Sequence, residues 1–367
     1  MRLVTYADAS GPRPGAVVGD RVLGDRVLDL GGFAGSVAEL LTDAAALSAA
    51  EAAVAASTPS SLPELDASAL LAPVTPGKIL CLGYNYRGHV PDGVDPTAND
   101  PEYPDVFVKT SNTLAGPNDP VVIPPGATDV DYEGEVAVVI GRRAQRVSLE
   151  DALDHVGGYT ILNDVSDRAW QRRQSQWALG KCSDGFAPLG PWVVTPDELG
   201  DPQDLLVEVV RDGVVTVSQS TSTTIFSVAY VIHHLSQVLT LEPGDVVSTG
   251  TPQKLPAAQD AHRPLAAGDA VTVRISGIGE LTTRFVAAQP PVVERAKRDE
   301  TPLTLPQAQG VSSAGARAPF AQRPEPPVVE RAKRDETPRT LPQAQGVSSA
   351  GARAPFAQRP ASQEATA

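Results

Sequence analysis

The sequence predicts a mainly β protein with helices, an α+β fold with a small N-terminal domain and a disordered C-terminal tail. Three observations carry that prediction. From Gly77 to Val286 the chain is a series of short Val/Ile-rich runs separated by Pro, Gly and Asp. β-Branched runs of that length, bounded by turn formers, read as strands. An Ala-rich stretch free of Gly and Pro lies between Val37 and Ala56, and the composition changes abruptly near Pro290.

Taken in order, residues 1–72 give the small N-terminal α+β domain. Its strand-like runs are Arg2 to Tyr6, Gly15 to Val18 and Arg26 to Leu30. They lead into Val37–Ala56, which is read as helix because Ala and Leu dominate it. Residues 73–287 form the main domain. Its strands are predicted at Lys78 to Leu82, Val106 to Lys109, Val121 to Ile123, Leu205 to Arg211, Asp245 to Thr249 and Ala270 to Ile275. Helices are predicted at Ser148 to His155 and Thr224 to Gln237.

Residues 288–367 form the tail. The 36 residues from Pro290 to Glu325 recur almost unchanged from Pro326, with Arg339 standing for Leu303. Each copy is rich in Pro, Ala, Gln, Arg and Ser and holds one aromatic residue, Phe320 or Phe356, so it has little to bury. The tail has 11 Lys/Arg against 8 Asp/Glu, net +3, which leaves −14 − 3 = −17 for the rest. A tolerated extension or a partner-docking segment are the two readings of such a tail.

Composition narrows the function. The 367 residues supply a sizeable core. A net charge of −14 argues against nucleic acid or an anionic membrane as partner. Cys81 and Cys182 are the only cysteines, so there is no disulfide framework and a reducing compartment is expected. The N-terminus lacks an apolar leader, and no apolar run reaches the roughly 20 residues a bilayer requires. The expected location is the cytoplasm.

The candidate chemistry starts at Asp131-Tyr132-Glu133-Gly134-Glu135, which heads the apolar run Val136 to Ile140. If that run is a strand, Glu133 and Glu135 project from one face. Asp164 closes a second apolar run, Gly158 to Leu162, through Asn163. Three converging carboxylates repel one another unless a cation neutralises them, and all-oxygen ligation favours Mg²⁺ or Mn²⁺, with Ca²⁺ also suited, over Zn²⁺. The alternative is a solvent-facing edge strand with Asp164 in a turn. A helix starting near Asp164 would place Arg168 and Gln171 on its face at i+4 and i+7.

Several motifs follow one another in the chain: CLGYNYRGH from Cys81, Phe107-Val108-Lys109, DYEGE from Asp131, GYTILNDVSDR from Gly158, GKCSDGFAPLGPW from Gly180, LEPGD from Leu241, STGTP from Ser248 and Ile275-Ser276-Gly277-Ile278-Gly279. Together, from Gly77 to Val286, they resemble the fumarylacetoacetate hydrolase superfamily in its shorter form with a small N-terminal domain. The resemblance implies a mixed β-roll core, a homodimer, and a divalent cation held by Glu133, Glu135 and Asp164. It implies further that Lys181 stands beside the cation, that Arg168 and Gln171 bind substrate, and that Thr251 donates to substrate or to a water.

His89, which closes the NYRGH stretch, matches the family base, with Asp92 where an acid is usual. The i+3 carboxylate would fix the imidazole tautomer and raise its basicity. Asp92 is one carbon shorter than the usual Glu, and Pro91 disfavours helix at Val90; a structural histidine is the alternative. The polar segment Pro91 to Pro104 corresponds to a family lid. Trp170 and Trp177 are assigned to packing. After STGTP the usual Gly-Val-Gly-like loop is replaced by Gln253-Lys254-Leu255-Pro256, which reshapes the distal part of the pocket.

The function implied is a divalent-metal-dependent enzyme acting on a small 2-oxo acid or 1,3-dicarbonyl. Hydrolytic C–C cleavage of an acylpyruvate-like substrate through a metal-chelated enolate comes first. A decarboxylase, hydratase or isomerase of a 2-oxo-dienoate in aromatic catabolism is the alternative within the class. An inactive core used as a binding scaffold, docked through the tail, is the alternative outside it.

Overall fold

The structure is a computed structural model describing residues 1–20, 24–88, 95, 97, 100–173 and 175–289. His89, Asp92, most of the first half of the lid segment and the tandem repeat lie outside the described residues. Among the described residues sheets dominate, as the sequence predicts.

One mixed sheet runs, in spatial order, Gly24–Asp29, Gly11–Asp20, Arg2–Asp8, Ala187–Val194, Val156–Asn163, Gly134–Ile140, Val246–Ser248, Ile79–Gly83 and Asp105–Lys109. Along this path neighbours are antiparallel except for Val246–Ser248 with Ile79–Gly83, which is parallel. A second sheet runs Val214–Ser220, Leu206–Arg211, Ala270–Ile275, Gly279–Ala287 and Val121–Ile123.

The strand Gly134–Ile140 is buried along its whole length, and so is its partner Val156–Asn163. Alternation explains how one strand serves two cores. Val136, Val138 and Ile140 pack in a cluster with Val207, Val209, Val273 and Phe285 of the second sheet. Ala137 and Val139 face a different cluster with Leu3, Leu40, Leu41, Ile79 and Cys81. Each fully buried Val, Leu or Ile contributes about 1.5–3 kcal/mol, so this strand is a firmly anchored place to hang a site.

Residues 1–72 do not stand apart from the body. Arg2 and Leu3 pair with Val194 and Val193, so the boundary expected near residue 72 divides one continuous sheet. The described residues fall in one compact unit.

Helix extents differ from expectation at three places. The helix over Val37–Ala56 is two helices, Val37–Thr42 and Ala44–Ala56. Asp43 breaks it because its extended backbone lets its carboxylate cap the amides of Ala45 and Ala46 at 2.9 and 3.1 Å. Ser148–His155 is not α-helical and keeps only a 3₁₀ turn, Ala152–His155. Ser148 Oγ accepts from the Asp151 amide at 3.1 Å and donates to its carboxylate at 2.7 Å, a local closure that competes with helix. The helix expected over Thr224 to Gln237 starts later, at Val228, and runs to Val238 under a Ser227 cap.

Candidate metal centre and active site

Register brings the acids together. Gly134 lies opposite Asn163 in the central antiparallel pair, so Glu133 and Asp164 become neighbours just past its end. The Asp164 amide donates to the Glu133 carbonyl at 2.8 Å, and the Glu133 amide donates to Asn163 Oδ1 at 3.2 Å. Ser248 pairs with Ala137, which places the STGTP turn beside Glu135. Ligand atoms of Glu133, Glu135 and Asp164 lie within 4.8 Å of one another. Oxygens on opposite sides of one Mg²⁺ or Ca²⁺ are about 4–5 Å apart, so a single hard cation suits this set of donors.

Basic groups surround the cage. Asp164 accepts from Lys109 Nζ at its Oδ1 and from Lys181 Nζ at its Oδ2, both at 2.5 Å. Lys181 also donates to Glu133 Oε2 at 2.6 Å, and Arg168 Nη2 donates to Glu133 Oε1 at 2.6 Å. Arg168 reaches Asp131 Oδ2 at 3.0 Å, and Lys254 is bonded to the other oxygen of Asp131. Glu135 has no basic partner among the described residues; it accepts from the Ser248 hydroxyl and from the Gly250 amide at 3.0 Å. Gly250 adopts φ +88°, a left-handed conformation that glycine permits and that aims this N–H inward.

These environments push the carboxyls in opposite directions. Burial raises Glu135, and the nearby Asp164 and Glu133 charges raise it further. Burial alone would raise Glu133 as well, but Arg168 and Lys181 outweigh it and hold that carboxyl below the usual range. Lys181 is only 2% exposed; burial disfavours its charge, and Asp164 and Glu133 overcome that and raise it. A divalent cation would neutralise Glu135, the one acid of the cage that the basic residues leave without an ion pair. The site therefore fits a hard divalent ion.

The positioning devices are local. Lys181 ends a one-turn helix, Ala178–Lys181, that lies against Arg168–Gln171. Gly180 allows that approach, since a Cβ there would stand 2.6 Å from the Gln171 amide nitrogen. The Lys181 ammonium sits 4.7 Å from the Phe107 ring centroid, and Phe107 meets Trp177 edge-on. A cavity of about 120 Å³ opens onto the cage, lined by Glu133, Glu135, Arg168, Gln171, Lys181 and Thr251, with Tyr84 and Trp177 as apolar walls.

The structure thus gathers Glu133, Glu135, Asp164, Lys181, Arg168, Gln171 and Thr251 at one site. Two details differ from the sequence reading. Asp164 is not the start of a helix: Ser166–Asp167 pairs with Val130–Asp131 first, and the helix begins at Arg168 under an Asp167 cap. Arg168 and Gln171 still meet, at 3.0 Å. Trp177, assigned to packing, lines the cavity.

Lys109, Ser248, Asp131 and Lys254 are additions. Lys109 is fully buried, yet strand Asp105–Lys109 carries apolar residues on both faces, with Val106 and Val108 exposed and Phe107 half-buried. Alternation therefore gave no sign that Lys109 points inward. The Phe107-Val108-Lys109 motif was its only signal.

Residues 78–286 match the family model described as fumarylacetoacetate (FAA) hydrolase C-terminal. The chain belongs to the fumarylacetoacetate hydrolase family. A mitochondrial oxaloacetate tautomerase of Homo sapiens is 37% identical over 296 residues, covering 78% of this chain and 92% of that protein. A 2,4-didehydro-3-deoxy-L-rhamnonate hydrolase of Sphingomonas sp. is 43% identical over 208 residues, 55% of this chain and 71% of that one. Among solved structures, a maleylpyruvate hydrolase from Sphingobium sp. in complex with manganese(II) and pyruvate superposes with a TM-score of 0.62 at 29% identity, over 79% of this chain and all of that one. Members of the family with assigned activities are enzymes, hydrolases and isomerases among them. No helix among the described residues is long and apolar enough to cross a membrane.

Proposed function

We propose that this chain is a divalent-metal-dependent enzyme acting on a small 2-oxo acid, with hydrolytic C–C cleavage of an acylpyruvate-like substrate as its reaction. The observation that carries the reading is the convergence of Glu133, Glu135 and Asp164 within 4.8 Å, with Glu133 and Glu135 facing a cavity also lined by Lys181, Arg168, Gln171 and Thr251. These three carboxylates would hold Mg²⁺ or Mn²⁺. When bound there, the cation supplies a Lewis acid for the adjacent oxygens of a 2-oxo acid as negative charge develops on them.

The chain's own groups complete the work. Lys181, buried and charged, faces the same oxygens and stabilises charge that grows in the transition state. Arg168 and Gln171, 3.0 Å apart, bind and orient the substrate carboxylate. Thr251 donates to the Gly134 carbonyl at 3.1 Å, and its hydroxyl can turn to a substrate oxygen or a water. The resemblance assigns to His89, which lies outside the described residues, the role of taking the proton from the attacking water. Trp177 and Tyr84 supply apolar wall to the cavity.

The second reading is tautomerisation of a 2-oxo acid, supported by the activity named for the human relative. It uses the same carboxylates and Lys181 but needs no attacking water. The homodimer expected from the resemblance is proposed as well, and sedimentation of the purified chain tests it.

The decisive experiment combines a Mn²⁺ titration with a substrate screen. The wild type should bind one Mn²⁺ per chain and turn over an acylpyruvate or tautomerise oxaloacetate. Glu135→Ala should lose Mn²⁺ binding and activity while keeping its circular dichroism spectrum. Wild-type turnover in that variant would remove the metal model.

A further inference from the structure

A cavity larger than the one at the acid cage lies outside the site already described. It encloses about 350 Å³, against about 120 Å³ at the cage, and sits between the hairpin of Leu206–Arg211 with Val214–Ser220 and the short helix Pro256–Asp260. Small-molecule cavities begin at roughly 300 Å³. Tyr132 separates it from the catalytic side. Asp131 and Glu133 both meet Arg168, while Tyr132 between them turns the other way and donates its hydroxyl to Thr216 at 2.9 Å.

The walls are mostly apolar, and one of them is peculiar to this chain. Leu255, Ala258 and Ala261 come from the segment after STGTP, where the Gly-Val-Gly-like loop is replaced. Val214 and Val215 supply the hairpin side, and the Leu255 amide ties the two walls together by donating to the Thr216 carbonyl at 2.8 Å. Val214, Val215 and Leu255 are large apolar side chains left exposed, Val214 by 62%. An apolar ligand would remove that surface from water.

The polar groups here carry no net charge. Arg263 pairs with both Asp212 and Asp269, and Arg211 pairs with Asp269, so two guanidiniums meet two carboxylates. His262, the remaining basic group of the lining, turns to Asp129 at 3.6 Å. One buried donor of the lining lacks an acceptor. Arg211 is 7% exposed, and its Nε–H makes no hydrogen bond among the described residues, with Asp212 Oδ2 standing off at 3.8 Å. Buried donors are satisfied by a neighbour, a water or a ligand.

We infer that this cavity is a second ligand site, separate from that of the substrate, and that it takes an uncharged, mainly apolar molecule with one hydrogen-bonding group for Arg211. At about 30 Å³ per water-sized group, the volume suits roughly ten heavy atoms. The balanced charges set the neutrality, since a carboxylate brought here gives up its hydration and finds no unpaired cation to receive it.

The test titrates the full chain with 4-propylphenol, uncharged at neutral pH, and with 4-propylbenzoate, followed by saturation-transfer NMR. The wild type should bind the phenol with a dissociation constant of about 1 mM or below. The benzoate should bind at least about fivefold more weakly. Ala258→Leu, which fills the cavity from its wall, should weaken the phenol at least about tenfold, and Ala261→Leu serves if that variant does not fold. Glu135→Ala should keep the affinity within about twofold, because it alters the cage alone. No binding by the wild type at about 10 mM overturns the inference. So does an affinity unchanged by the leucine, or one lost in Glu135→Ala, which would put the probe in the cage. A benzoate held as tightly as the phenol overturns the ligand class.

Discussion

Replacing Lys109 with Met tests whether the buried bases are what let the acid cage fold. Both side chains of the Lys109–Asp164 pair are fully buried, and Lys109 donates to the Val165 carbonyl at 3.1 Å as well. Removing one partner of a buried ion pair costs about 3–5 kcal/mol, because the remaining charge is left without full compensation. Asp164 keeps Lys181 at 2.5 Å, so the lower end, about 3 kcal/mol, is expected. For a domain of this size that is a fall of roughly 6–12 °C in melting temperature. The assay is urea denaturation in EDTA, repeated with saturating Mn²⁺. The metal should restore more stability to Lys109→Met than it adds to the wild type, since the variant has lost a positive charge beside the ion and gains more from a replacement. A loss below about 1 kcal/mol in EDTA, or a smaller Mn²⁺ gain than the wild type shows, would refute the idea that Lys109 compensates Asp164.

Three further outcomes are expected. Ser248→Ala removes the hydroxyl that donates to Glu135 and should weaken Mn²⁺ binding about 10–100-fold with no change of fold, read by competition with a metal indicator. His89→Ala should lower kcat of the hydrolytic reaction by about 10²–10⁴ while leaving the Mn²⁺ dissociation constant unchanged; turnover at the wild-type rate would move the base elsewhere. Asp269→Asn probes the pH dependence of stability away from the site. Burial would raise Asp269, but the hydrogen bonds from Arg263 and the Ala266 amide, with Arg211 nearby, hold it below the usual aspartate range. Because the folded value is lowered, its contribution is complete above the unfolded value of about 4 and is lost as pH falls through the folded one. Wild type and Asp269→Asn should therefore differ by about 1–3 kcal/mol at neutral pH and converge under acid, and a gap that widened on acidification would reverse the assignment.

What the sequence revealed about the site was whatever a local rule encodes. Glu133 and Glu135 converge because strand alternation is a two-residue rule and the run Val136 to Ile140 is too apolar to be anything but buried. Asp164 was legible as the end of a second such run. The basic partners were not legible from spacing. Lys109 lies 55 residues from Asp164 and Lys254 lies 123 from Asp131, so only the ordered motifs hinted at the first, and only the altered loop after STGTP at the second. The same limit governs the fold. The N-terminal strands were readable one by one, yet the partner of Arg2 is Val194, and no local pattern foretells that pairing. Helix ends escaped for a different reason. Asp43 and Asp167 each offer a carboxylate to nearby amides, and whether such a residue breaks a helix or begins one is decided by the backbone around it.

The cage also shows why its geometry withstands the repulsion it contains. A one-residue slip of Gly134–Ile140 against Val156–Asn163 would turn Glu135 to the opposite face and scatter the ligands. In a sheet with one wet face such a slip exposes one set of side chains. Here it would exchange two sets, sending Val136, Val138 and Ile140 into the space shaped for Ala137 and Val139. At about 0.8 kcal/mol per misplaced methylene, together with the overpacking that valine or isoleucine meets where alanine sat, the slip costs several kcal/mol. That exceeds what separating buried carboxylates could recover once Lys109, Lys181 and Arg168 have compensated them. The acids are held together by the hydrophobic cores on either side of their strand, and the bases make that placement tolerable.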